Sequence, residues 1–194
     1  MEMMNLNSEF DLSFSQLMSG PVGALVLAVV LIYFTEITVH TGFESFFGSI
    51  VWGIILGVVT FVLVIFITRL PFSKSLREIC KQLVPIFQGF PLWKIITLSL
   101  AAGLGEELLF RGFFQQWLMT YMSTEVAILL ASLGFGLLHF FSFSYFVLTT
   151  VLGVIFGIIY VETNSLLLVM SWHAVYDVLV IWVFSYRPEL LLLE

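Results

Sequence analysis

Six ionisable residues stand in stretches of chain that are otherwise almost wholly apolar: Glu106, Glu107 and Arg111, then His139, then His173 and Asp177. Glu107 and Arg111 are four residues apart, as are His173 and Asp177, so on a helix each pair shares one face. Glu106 lies about 100° round the helix from Glu107 and points elsewhere. If Glu107 and Arg111 neutralise one another as an ion pair, two carboxylates (Glu106, Asp177) and two imidazoles (His139, His173) are left. That set suits hydrolysis in two ways. Glu106, His139 and His173 can hold a divalent cation, zinc being best matched to nitrogen and oxygen donors, with a water in an open position. Without a metal, Glu106 can serve as general base on a water oriented by His139, while His173 and Asp177, if protonated, stabilise an oxyanion. The same groups could equally relay protons through a transporter. Spacing alone leaves hydrolase and transporter level.

The surrounding chain says where these groups must sit. Of 194 residues, 60% are hydrophobic and only 10% charged, against roughly 45–50% and about 25% in a soluble domain. That balance excludes both a soluble globular domain and a disordered chain. A net charge of −6 argues against nucleic-acid partners, which need clustered Lys and Arg. The single cysteine, Cys80, cannot form an internal disulfide. About 20 apolar residues cross roughly 30 Å of hydrocarbon, and six stretches meet or approach that length: 22–40, 46–68, 93–119, 126–143, 145–161 and 165–184. All are expected to be helices, because lipid leaves no partner for an unpaired backbone. The expected fold is therefore an all-α, polytopic membrane helix bundle of about six spans. A charge near the bilayer centre costs at least ~2.5–3.5 kcal/mol. The six ionisable groups, confined to the third, fourth and sixth spans, must then face one another or a shared wet cavity.

Five of the seven basic residues, Arg69, Lys74, Arg77, Lys81 and Lys94, fall between the second and third spans. Positive charge stays cytoplasmic, which puts that loop and both termini inside. Residues 1–20 carry no Lys or Arg and read as a short cytosolic tail rather than a cleaved signal. Within the basic loop, Leu76, Ile79, Leu83 and Ile86 recur at helical spacing, and Ser75 with Glu78 has the form of a capping box. An amphipathic helix lying on the cytoplasmic surface up to Pro85, an anchored connector, is the expectation. Small residues mark close helix approaches: Gly153 with Gly157, Ser132 with Gly136, and a narrow waist over 101–105. The chain divides into 1–92 (tail, two spans and basic loop), 93–184 (the polar-helix core) and 185–194 (tail).

The run Gly105-Glu106-Glu107-Leu108-Leu109-Phe110-Arg111-Gly112 resembles the EExxxR motif, in its EExxFRG form, of the CPBP family of intramembrane proteases. That family includes CAAX prenyl endopeptidases and bacterial bacteriocin-processing or immunity proteins. Its FxxxH motif is matched by Phe135-Gly136-Leu137-Leu138-His139, and its HxxxN or HxxxD motif by His173-Ala174-Val175-Tyr176-Asp177. The resemblance covers 93–184. It implies an endopeptidase of a bacterial cell membrane, acting on peptide or membrane-protein substrates, with zinc as the cofactor where a metal is used. Glu106 would activate water, His139 and His173 would be the essential histidines, and Glu107 with Arg111 would hold Glu106 in position. Asp177 stands where prenyl endopeptidases often carry Asn. An ionised Asp cannot donate to an oxyanion, so Asp177 must be protonated, bind metal or orient His173. A non-catalytic immunity or scaffold protein is the remaining rival. The soluble zincin signature HExxH is absent, and Cys80 has no histidine near it in sequence.

Overall fold

The structure, a computed structural model, describes residues 12–42 and 45–191. Among these residues every regular element is helical: α1 (Phe14–Thr35), α2 (Phe46–Thr68), α3 (Lys74–Phe87), α4 (Leu92–Glu107), α5 (Gln116–Met119), α6 (Thr124–Leu138), α7 (Phe143–Thr163) and α8 (Leu166–Tyr186). A π-helical stretch, Leu108–Gln115, joins α4 to α5 without a break. Helices α1, α2, α7 and α8 are each long and apolar enough to cross a membrane. The α4–π–α5 rod reaches about 40 Å at ~1.5 Å per residue, more than a bilayer core requires. Helix α6 has only 15 residues, about 22 Å, and stops short of a full crossing. The protein is a polytopic helical bundle and an integral membrane protein.

Three sequence expectations are corrected. The first span, expected at 22–40, begins at Phe14 because Ser13 closes a capping box: its hydroxyl accepts from the Gln16 N–H at 3.3 Å, and Gln16 Oε1 accepts from the Ser13 N–H at 2.8 Å. It ends at Thr35, where Glu36 turns left-handed at φ 56°. Residues 14–20 are thus helix rather than tail; residues 1–11 lie outside the described residues. The fourth span, expected to reach residue 143, ends at Leu138 with His139 as its cap. In the basic loop, the Ser75–Glu78 capping box does not form, because α3 already starts at Lys74 with Ser73 at the cap. Ser73 donates its hydroxyl to the Ile67 carbonyl at 2.6 Å, and Glu78 pairs with Lys81 at 3.3 Å.

Helix α3 also runs past Pro85 to Phe87, and its apolar stripe packs on protein. Cys80 and Val84 are buried with Val183, Phe184 and Leu191, so Leu190 and Leu191 close over the same patch. Arg77 fixes the helix from its other side by donating to the Thr68 and Leu70 carbonyls at 2.7 and 3.0 Å. The first is an end carbonyl of α2, and the second lies just beyond the helix, where it also accepts the Ser73 N–H at 3.0 Å.

Close backbone approach holds the spans together, since lipid tails provide no hydrophobic drive between helices. Helix α2 turns Ser49, Gly53, Gly57 and Thr60 inward, and Thr60 accepts the Trp172 indole N–H from α8 at 2.8 Å. A Cβ on Gly57 would stand 2.8 Å from Val175 Cβ of α8. Gly103 meets α8 at the Met170 carbonyl, and Gly105 meets α1 at Pro21. Large apolar side chains such as Tyr33, Phe34, Phe47 and Trp52 face outward, the reverse of a soluble fold and the arrangement lipid rewards.

Candidate active site

Glu106 and Glu107 are the last residues of α4, and the π-helix begins at the next position. A π turn, with i→i+5 hydrogen bonds, re-aims the side chains that follow it and is frequent at functional sites. Here the wide turn carries Arg111 and Gln115 into the bundle, both fully buried. Arg111 Nη1 donates to Glu107 Oε1 at 3.1 Å and Nη2 to the Gly153 carbonyl at 3.1 Å. Its guanidinium lies 4.6 Å from the Phe135 ring centroid and 5.4 Å from that of Phe156, a placement favoured by the ring quadrupole. One turn on, Gln115 Nε2 donates to the Gly157 carbonyl at 3.1 Å. The two glycines, lacking side chains, leave these α7 carbonyls open to the neighbouring helix. Gly153 and Gly157 therefore do more than allow close packing: they are the acceptors for a two-rung ladder.

Both imidazoles are oriented by their Nδ1 atoms. His139 Nδ1 lies 2.8 Å from the Phe135 carbonyl, and His173 Nδ1 lies 2.8 Å from Glu107 Oε1. A carbonyl and a carboxylate only accept, so each Nδ1 carries a proton, and in the neutral ring each Nε2 keeps its lone pair. Those two Nε2 atoms face Glu106 Oε2, at 3.5 Å from His139 and 4.0 Å from His173. Glu106 Oε2 is buried and has no hydrogen-bond partner among the described residues. Asp177 Oδ2 lies 3.5 Å from the same Nε2 of His173. Four acceptor atoms thus converge with no donor between them, and such a site is completed by a water, a shared proton or a cation.

All six residues singled out in the sequence stand in this one cluster. Glu107 departs from its expected contacts: besides pairing with Arg111 it grips His173, and no hydrogen bond links it to Glu106. The position of His139 follows from the shortness of α6. The helix ends early and delivers its cap residue to the level of the α4 acid pair.

Four members of the cluster, Glu106, His139, His173 and Asp177, line a cavity of about 210 Å³. The rest of the lining is mainly apolar and includes Leu83 and Phe87 of α3, Leu148 and Leu152 of α7, and Val180 of α8, while Tyr145, Thr149 and Tyr176 add hydroxyl-bearing side chains. None of these was singled out as a site residue in the sequence. The Leu83 position in the α3 stripe was the one available signal; Gln115, four residues after Arg111, was another.

The donor chemistry of Glu106, His139 and His173 fits a divalent cation, as does the orphaned Oε2. Neighbouring ligands of a tetrahedral zinc stand about 3.3 Å apart, near the 3.5 and 4.0 Å seen here. Among the described residues, however, no three such groups are already gathered in ligating geometry, so binding would require a small inward adjustment.

No curated protein and no solved structure matches the chain. A family model does, over a little under half of its length: that of the type II CAAX prenyl endopeptidases, Rce1-like, matches residues 88–179, the segment holding all three motifs and all six clustered residues.

Proposed function

We propose that this protein is an intramembrane endopeptidase of the CAAX-protease type in which Glu106 activates the attacking water. One observation carries the reading: a buried carboxylate oxygen, without a partner, faces the lone pairs of two imidazoles whose tautomers are fixed from behind. A water seated there donates its protons to Glu106 Oε2 and to Nε2 of His139, which turns an oxygen lone pair toward the cavity. As that oxygen bonds to a peptide carbonyl carbon, Glu106 takes the proton. It then returns the proton to the amide nitrogen as the C–N bond breaks, so one water is consumed and a carboxylate and an amine leave. Exclusion of bulk water strengthens each of these contacts. Glu107 holds His173 by accepting from its Nδ1–H, and Asp177, 3.5 Å from its Nε2, steadies the ring through the water that fills the site. A divalent cation such as zinc, when bound, would be held by Glu106, His139 and His173 and would supply Lewis-acid polarisation of water or carbonyl.

The basic loop puts α3 on the cytoplasmic side. Because Leu83 and Phe87 of α3 line the cavity, peptide or membrane-protein segments reach it from the cytosol or the inner leaflet. Reconstituted protein in liposomes, incubated with peptide substrates in ¹⁸O-labelled water, tests the reading. Products with a new carboxyl terminus carrying one ¹⁸O are expected; pH-driven proton flux with no cleavage would show a transporter instead.

A further inference from the structure

An intermediate with a tetrahedral oxyanion needs a hydrogen-bond donor aimed at it, and the clustered residues provide mainly acceptors. Glu106 and Asp177 accept when ionised, and each imidazole has committed its Nδ1–H elsewhere. Three hydroxyls line the cavity, those of Tyr145, Thr149 and Tyr176. The Thr149 hydroxyl is already spent on the Tyr145 and Phe146 carbonyls, at 2.9 and 3.1 Å. The two phenols make no side-chain hydrogen bond among the described residues. They differ in position: Tyr145 stands on α7, which carries none of the six clustered residues, whereas Tyr176 shares α8 with His173 and Asp177. A cavity of 210 Å³ is only about 7 Å across if spherical, so a substrate carbonyl beside Glu106 stands close to its opposite wall.

We infer that Tyr145 is a catalytic residue whose phenolic O–H donates to the carbonyl oxygen of the scissile bond as that oxygen becomes anionic. It fills the role that an ionised Asp177 cannot. The ring is held for this by edge-on packing against Phe141, at 5.5 Å between centroids, and by its place in the first turn of α7, where Ser142 caps the Tyr145 N–H at 3.2 Å. The inference rests on the endopeptidase reading and adds to it a donor outside the three motifs.

Tyr145→Phe keeps the ring, its packing on Phe141 and the backbone cap, and removes only the hydroxyl. Steady-state cleavage in liposomes by wild type, Tyr145→Phe and Tyr176→Phe separates the possibilities. Tyr145→Phe should lower kcat by about 10²–10³-fold, the usual loss of one oxyanion donor, with KM within about threefold; Tyr176→Phe should lose at least about tenfold less. A phosphinate peptide, which carries the charge of the intermediate, should bind Tyr145→Phe more weakly while an uncleavable substrate analogue binds it as tightly as wild type. A Tyr145→Phe enzyme with unchanged kcat overturns the inference and leaves Glu106 chemistry standing. A loss of kcat shared equally by Tyr176→Phe, with both analogues weakened, also overturns it, by showing a general effect on the cavity. A wild type that cleaves nothing overturns the endopeptidase reading and the inference with it.

Discussion

Replacing Arg111 by Met removes the charge while keeping most of the aliphatic volume, and the structure sets the size of the effect. The guanidinium donates to Glu107 and to the Gly153 carbonyl and stacks on Phe135. Both members of the ion pair are essentially without solvent exposure, at 1% and 0%. Breaking a buried pair from one side leaves the other charge uncompensated and costs about 3–5 kcal/mol. Glu107→Gln should cost a similar amount by stranding Arg111. The double variant Glu107→Gln/Arg111→Met leaves no isolated charge, so its loss should fall short of the sum of the singles by at least about 2 kcal/mol. The assay is reversible unfolding in mixed detergent micelles, followed by tryptophan fluorescence. Trp172, buried in the same bundle, reports on it. Additivity within about 0.5 kcal/mol would refute the reasoning, because contacting charges in a dry site must couple.

Asp177→Ala should reduce cleavage by about 10–100-fold, the usual loss for a residue that orients a reacting group; a fall as deep as that of Glu106→Gln would give Asp177 a direct chemical role. Gly103→Ala puts a Cβ 2.7 Å from the Met170 carbonyl and 2.9 Å from Ala174 Cβ, which forces α4 and α8 apart. About 1–3 kcal/mol of stability should be lost, while Gly20→Ala, with open space around it, should be neutral or stabilising in the same unfolding assay. Burial pushes the Cys80 thiol up to about 11, so little thiolate exists at pH 7.5. Maleimide labelling should be slow in the folded protein and fast after denaturation, and equal rates would mean that α3 does not stay docked.

The polar cluster was legible because charge in an apolar chain is costly, and cost confines it: Glu106, His139 and His173 had to meet if the helices were to share one membrane. The span over 46–68 was legible to the residue, since Ser45 and Arg69 bound an unbroken apolar run. Less legible was anything decided by contacts between helices. The π stretch Leu108–Gln115 has no periodicity signature, for its residues are apolar round most of the turn. The end of α6 at Leu138 lies inside a run that, apart from His139 and Ser142, stays apolar to Phe143, so hydropathy alone carried the helix too far. Ser75 with Glu78 had the right spacing for a cap, yet the Pro71–Ser73 turn starts the helix earlier and gives Ser73 a different acceptor. Gln115 stands four residues from the end of its expected span, and only the open carbonyl of Gly157 explains why it is buried.

Cleavage by Glu106→Gln, measured beside wild type at saturating peptide in liposomes, tests the central claim most directly. The substitution keeps shape and removes the proton-accepting charge. Wild type should cleave, and Glu106→Gln, folded and inserted to the same extent, should be slower by about 10²–10⁴-fold. A Glu106→Gln protein that cuts the same bond at the wild-type rate would contradict the account.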